Sequence, residues 1–150
     1  MRTLVIASMG EAAGKTAFAA ALGVRWQGVG VHVAYLKLRF SPPEPSAEAG
    51  LDGAFVPKML ATAAGSARSS GAALLSVQAG DQRMLREQVN EAVGPLPDEA
   101  LLLIEPEGHL ADDSNTREAL LGLVVALEAQ ALLVAGYHQA MEAGPIVAAT

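Results

Sequence analysis

Short apolar runs alternate along the chain with stretches of helical periodicity, and that alternation sets the expected architecture. Thr3 to Ala7, "TLVIA", is apolar throughout and ends in a turn, as a strand buried on both faces of a parallel sheet reads. From Lys15 to about Gln27 the alanines favour helix, with Phe18, Leu22 and Trp26 on one face, and Gly28 and Gly30 stop it. "VHVAYLKL", Val31 to Leu38, reads as a second strand ending near Lys37. A proline-rich loop, "RFSPPEPSAEAG", follows, and then a helical pattern carrying Phe55, Met59 and Leu60, with Pro57 in its first turn or kinking it.

The second half repeats the alternation. "AALLSV", Ala72 to Val77, is a third strand, and Asp81 caps the helix "QRMLREQVNEAV", which is exposed on one side. "ALLLIE", Ala100 to Glu105, is a fourth strand, apolar until its final carboxylate. Ser114 or Asp113 caps a helix through Leu120, Val124 and Leu127, and "ALLVAGY" and "PIVAA" supply two more strands. The expected fold is α/β: an open parallel sheet with flanking helices, one domain over residues 1–150, without internal repeats.

Composition narrows this picture. Half of the residues are apolar but only 4% are aromatic, so Ala, Leu and Val must fill the core. The net charge of −6, with no basic cluster, disfavours nucleic acid as a partner. Cysteine is absent, which excludes a disulfide framework and thiolate chemistry. Neither "TLVIA" nor "ALLGLVVAL" is long enough to span a bilayer, so the expectation is a cytoplasmic protein with no membrane partner.

The chemistry concentrates in "SMGEAAGKTAFAAAL". A tight turn that opens a helix exposes unpaired amides and the positive end of the helix dipole, which together stabilise phosphate. Gly14-Lys15-Thr16 ends this turn as a phosphate-binding loop ends, with Lys15 reaching the β- and γ-phosphates and the Thr16 hydroxyl ligating Mg²⁺. Gly10, Glu11, Ala12, Ala13 and Gly14 form the cradle. Met9 stands where the full pattern has its first glycine, and Gly10 follows one residue later. The plainer alternative is an ordinary βα turn whose Gly-Lys-Thr is accidental.

Taken together, "TLVIASMGEAAGKT", "VAYLKL" and "LLLIEPEGHL" resemble dethiobiotin synthetases and the related amino-terminal domain of some phosphate acetyltransferases, within the wider P-loop class. The resemblance covers about the first sixty residues and again residues 100 to 110, and it implies a small P-loop NTPase-like three-layer sandwich. It further implies ATP and Mg²⁺ as cofactors, with Thr16, Asp52 and Glu105 around the metal. By the same resemblance Lys37 holds a small carboxylate or carbamate that accepts the γ-phosphoryl group, and the chain pairs as a homodimer. The chain departs from the family at Pro106, which replaces a glycine, and in ending soon after "GPIVAA". These departures favour a second reading, a regulatory or assembly domain with a degenerate nucleotide site.

Read from the residues alone, Lys37 is equally a surface lysine at a strand end, and Glu105 a solvated carboxylate. His32, His109 and His138 lack metal-ligand spacing, and Asp112 and Asp113 are helix caps in this reading.

Overall fold

A computed structural model describes residues 1–11, 13–40, 56–60, 69–77, 82–112 and 114–136. Five parallel strands form its sheet: β1 (Arg2–Ser8), β2 (Val33–Phe40), β3 (Ser69–Val77), β4 (Leu101–Pro106) and β5 (Gln130–Val134), in the order β3-β2-β4-β1-β5. Three helices lie between them, α1 (Lys15–Gly28), α2 (Gln82–Val93) and α3 (Ser114–Ala126), with a further helical stretch at residues 56–60. The fold is thus α/β with an open, all-parallel sheet, as the alternating pattern predicts.

Side chains of the central strands alternate between two cores. Val5, Ala34, Leu36, Leu102 and Ile104 pack on one face with Leu85 and Val89 of α2 and Leu123 of α3. Ile6, Val33, Tyr35, Leu101 and Leu103 pack on the other with Ala19 and Ala20 of α1 and with Val56 and Leu60. Burial on both faces explains why β4 reads as a continuous apolar run, each large side chain removed from water contributing about 1.5–3 kcal/mol.

The packed face of α1 differs from the expected one. Phe18 and Trp26 remain 37% and 38% exposed, whereas Ala19, Ala20 and Gly23 are buried against the sheet. Small residues let the helix axis come close: a Cβ on Gly23 would stand 2.6 Å from Leu60 Cδ2 and 3.4 Å from Leu103 Cδ1. Gly23→Ala is therefore expected to stay within about 1 kcal/mol of the parent, since the helix-propensity gain offsets a small movement of Leu60. Gly23→Val is expected to lose about 1–3 kcal/mol through overpacking, as read by urea denaturation.

Strand ends shift from the sequence expectation. β2 starts at Val33 and runs on to Phe40 rather than stopping near Lys37, because its ladder with β3 continues through Phe40↔Val77. β3 begins earlier than expected, at Ser69, and β4 includes Pro106. Arg39 and Phe40, expected to open the proline-rich loop, thus belong to β2. The rest of that loop, residues 41–50, lies outside the described residues, as do Ala12, Asp52, Phe55, Asp81, Asp113, His138 and "PIVAA". Among the described residues no helix is long and apolar enough to cross a membrane.

The chain leaves β1 for α1 on one face and β4 for α3 on the other. Their outgoing loops therefore diverge beyond the carboxyl edge of two adjacent strands, where open α/β sheets form their ligand crevices.

Candidate functional site

That edge carries a cleft of about 560 Å³, lined by the β1–α1 loop on one side and residues 105–109 on the other, with Lys37 and Asp112 completing its wall. Gly14 makes the tight turn into α1 with φ +86°, a left-handed conformation that favours glycine. A Cβ there would meet nothing within 4 Å, so the constraint on Gly14 is conformational and not steric. No side chain caps α1, and among the described residues the amides of Ala13, Gly14, Lys15 and Thr16 have no backbone hydrogen-bond partner. They form a polarised donor cluster of the kind that accepts an anion.

Met9 does not fill this space. Its amide donates to Val134 O at 3.1 Å and its carbonyl accepts from Ala111 N at 3.1 Å, which extends β1 by one residue and leaves Met9 outside the cleft lining. Gly10, Glu11, Ala13, Gly14, Lys15 and Thr16 all line the cleft.

Glu105 is the centre of the site. It is only 2% exposed, yet both carboxylate oxygens are engaged: Thr16 Oγ1 donates to Oε1 at 2.7 Å and Tyr35 OH to Oε2 at 2.8 Å. Lys37 Nζ stands 3.8 Å from Oε1. Sheet register produces this meeting, since Lys37 lies opposite Glu105 in the β2–β4 ladder and Tyr35, two residues earlier, shares its face. The β2–β3 register shifts between Leu36 and Leu38, beside Lys37, an irregularity of the kind that re-aims a side chain. Lys37 is 7% exposed, so it belongs to the buried site and not to the solvated surface.

Lys15 closes the other side. Its ammonium donates to Pro106 O at 2.9 Å and to Gly108 O at 2.5 Å. Burial holds it below the usual lysine range; Glu105 opposes that shift, and Lys37 adds to it. Pro106 thus contributes a carbonyl to the Lys15 ammonium, and the next amide, Glu107 N, donates to Leu38 O at 2.7 Å.

No protein-family model and no characterised protein matches this chain. Its site must therefore be read from its own geometry.

Several contacts of the site carry no signal in the local sequence. Tyr35 stands in the quoted "VAYLKL", but only the register reveals its bond to Glu105. Arg39 grips Glu107 with two bonds, 2.5 and 3.1 Å long, fixing the segment after β4. Asp112 reaches back into the loop: its Oδ2 accepts from His109 N at 2.8 Å, while Oδ1 lies 2.8 Å from His109 Nδ1 but off the line of a hydrogen bond. The left-handed turn at Gly108, φ +81°, brings the chain back far enough for that contact.

Leu110 N donates to Ser8 O at 2.8 Å, parallel to the Ala111 to Met9 bond, and so ties the β4–α3 loop to the exit of β1. Thr16 and Glu105 offer hard oxygen donors of the kind that Mg²⁺ prefers. Among the described residues no group of three or more His, Cys, Asp or Glu side chains gathers as a metal cage. Asp52, the third expected ligand, lies outside the described residues.

Proposed function

We propose that this chain is a nucleotide-binding protein of the P-loop type that takes ATP with Mg²⁺ in the cleft at the carboxyl edge of its sheet. The observation that carries the reading is the contact of Thr16 Oγ1 with Glu105 Oε1 at 2.7 Å, beside the Lys15 ammonium and the unpaired amides of the α1 turn. A hydroxyl, a carboxylate and an anion cradle from two distant parts of the sequence converge there, as a magnesium–phosphate site requires.

In this reading the amides of Ala13 to Thr16 bind the phosphates, and Lys15 leaves the carbonyls of Pro106 and Gly108 to follow the β- and γ-oxygens. Thr16 and Glu105 hold the cation, which when bound supplies charge neutralisation at the phosphates. Lys37 orients a small carboxylate or carbamate against the γ-phosphate, the acceptor that resemblance to dethiobiotin synthetases suggests. In a transfer, the acceptor oxygen forms the new P–O bond as the bond to the β-phosphate bridging oxygen breaks, with ADP leaving.

Calorimetric titration with ATP, with and without Mg²⁺, tests the reading. Saturable binding that strengthens with Mg²⁺ is expected, and a folded chain without detectable affinity overturns it.

One observation favours a second reading, a regulatory or assembly domain that holds the nucleotide without turnover. Lys15 and both oxygens of Glu105 are already satisfied within the fold, so the site is stable without a reacting ligand. Single-turnover release of ADP from bound ATP separates the two readings.

A further inference from the structure

We infer that the Ser8 hydroxyl is a binding group of the cleft, donating to a phosphate oxygen of the polyphosphate chain held there. The inference rests on the proposed phosphate site and adds a residue that the Gly-Lys-Thr pattern does not specify.

Ser8 is 1% exposed and lines the cleft, and its Oγ has no hydrogen-bond partner among the described residues. Buried hydroxyls are nearly always paired, because leaving one unpaired forfeits the bonds it made with water. An unpaired hydroxyl in the wall of a cleft therefore marks the place of a partner that enters from outside.

Its position specifies that partner. Alternation along β1 sends Val5 into the α2–α3 core and Ile6 into the α1 core, so Ser8 falls on the α1 side. Val134, its register neighbour on β5, packs on that same side. Thr16 and Glu105 meet there, at the foot of the turn whose amides have no backbone partner among the described residues. The ammonium groups of Lys15 and Lys37 line the cleft with the carboxylates of Glu11, Glu105, Glu107 and Asp112. Glu105 meets Lys37, Glu107 meets Arg39 and Asp112 meets His109, whereas the Lys15 ammonium meets the carbonyls of Pro106 and Gly108. An anion is the complement of the Lys15 ammonium and a helix N-terminus, and a hydroxyl can donate to it. The backbone of Ser8 is fixed by the bond from Leu110 N to its carbonyl, so the hydroxyl is pre-positioned.

Two opposite effects of one substitution test this. Ser8→Ala removes a buried group without a partner, so the unliganded protein is expected to become more stable in urea. The same change is expected to weaken Mg²⁺-ATP and Mg²⁺-tripolyphosphate alike by about tenfold to a hundredfold, the range for a hydrogen bond to a charged group. Ser8→Cys, close in shape but a weak donor, should fall in affinity in the same direction.

Loss for ATP alone overturns the assignment to phosphate. Unchanged affinity for both ligands in Ser8→Ala overturns the inference while leaving the nucleotide reading intact, since water then serves the hydroxyl. A Ser8→Ala chain less stable than the parent also overturns it, because the hydroxyl then has a partner within the fold. Failure of the parent chain to bind either ligand is the distinct result that removes the phosphate site itself.

Discussion

Glu105→Ala is expected to lower stability by about 3–5 kcal/mol, the loss typical when one partner of a buried ion pair is deleted. The substitution removes a partner shared by three groups at once. Thr16 Oγ1 and Tyr35 OH each lose a hydrogen bond, and the buried Lys37 ammonium loses the carboxylate beside it. A drop in melting temperature on the order of 10 °C should accompany the change for a chain of this size. Glu105→Gln keeps one oxygen acceptor but turns an amide nitrogen toward a donor, so its loss should be smaller, about 1–3 kcal/mol. Denaturant titration of the two variants beside the parent checks the order. A Glu105→Ala loss below about 1 kcal/mol would show that water reaches the cluster and that its bonds count for little.

The second large effect is expected at Lys15, and it separates binding from stability. Lys15→Met should reduce Mg²⁺-ATP affinity by about a hundredfold or more, since in the proposed reading its ammonium meets the phosphates beside the amide cradle. Folding should survive, because the aliphatic stem is kept while a partly desolvated charge is removed.

The pH dependence provides an independent check. Lys15 binds its proton less tightly in the folded chain than in the unfolded chain, so the unfolded state holds more protons between the lowered folded value and 10.5. Below the folded value the charge is present in both states and its burial opposes folding. Stability rises as pH increases through that window, and the opposition is gone above 10.5. The Lys15→Met chain lacks this alkaline gain, so its stability difference from the parent should change as pH rises toward 10.5. Phosphate arriving beside Lys15 favours the ammonium again, so binding in that window should draw protons from the buffer, as calorimetry in buffers of different ionisation enthalpy can measure.

Much of the frame could be read before any coordinates. Thr3 to Ala7 and Ala100 to Glu105 are runs of apolar side chains, and such runs belong to the middle of a parallel sheet, where β1 and β4 lie. Lys15 as the first residue of α1 followed from the glycine before it, whose left-handed turn ends one element and starts another.

Pattern failed where proximity, not periodicity, decides. Phe18 and Trp26 are the bulkiest apolar side chains of α1, but a helix that packs closely on a sheet turns its alanines and glycine inward. Asp112 stands where a helix cap is expected, and its contact with His109 across the Gly108 turn has no signature in the local pattern. Lys37 could as well have been solvated: its burial against Glu105 depends on strand order and register, which local sequence does not encode. Tyr35 and Ser8 escaped for the same reason, since each matters only through what stands opposite it.

The paired bonds from Leu110 and Ala111 to Ser8 and Met9 bind the two rims of the cleft at their base, like the spine of a book. The opposite margin, near Gly14 and Gly108, carries no such backbone tie among the described residues. Only the Lys15 side chain, bonded to Gly108 O, latches it, so one end of the cleft is closed by main chain and the other by a single ammonium group.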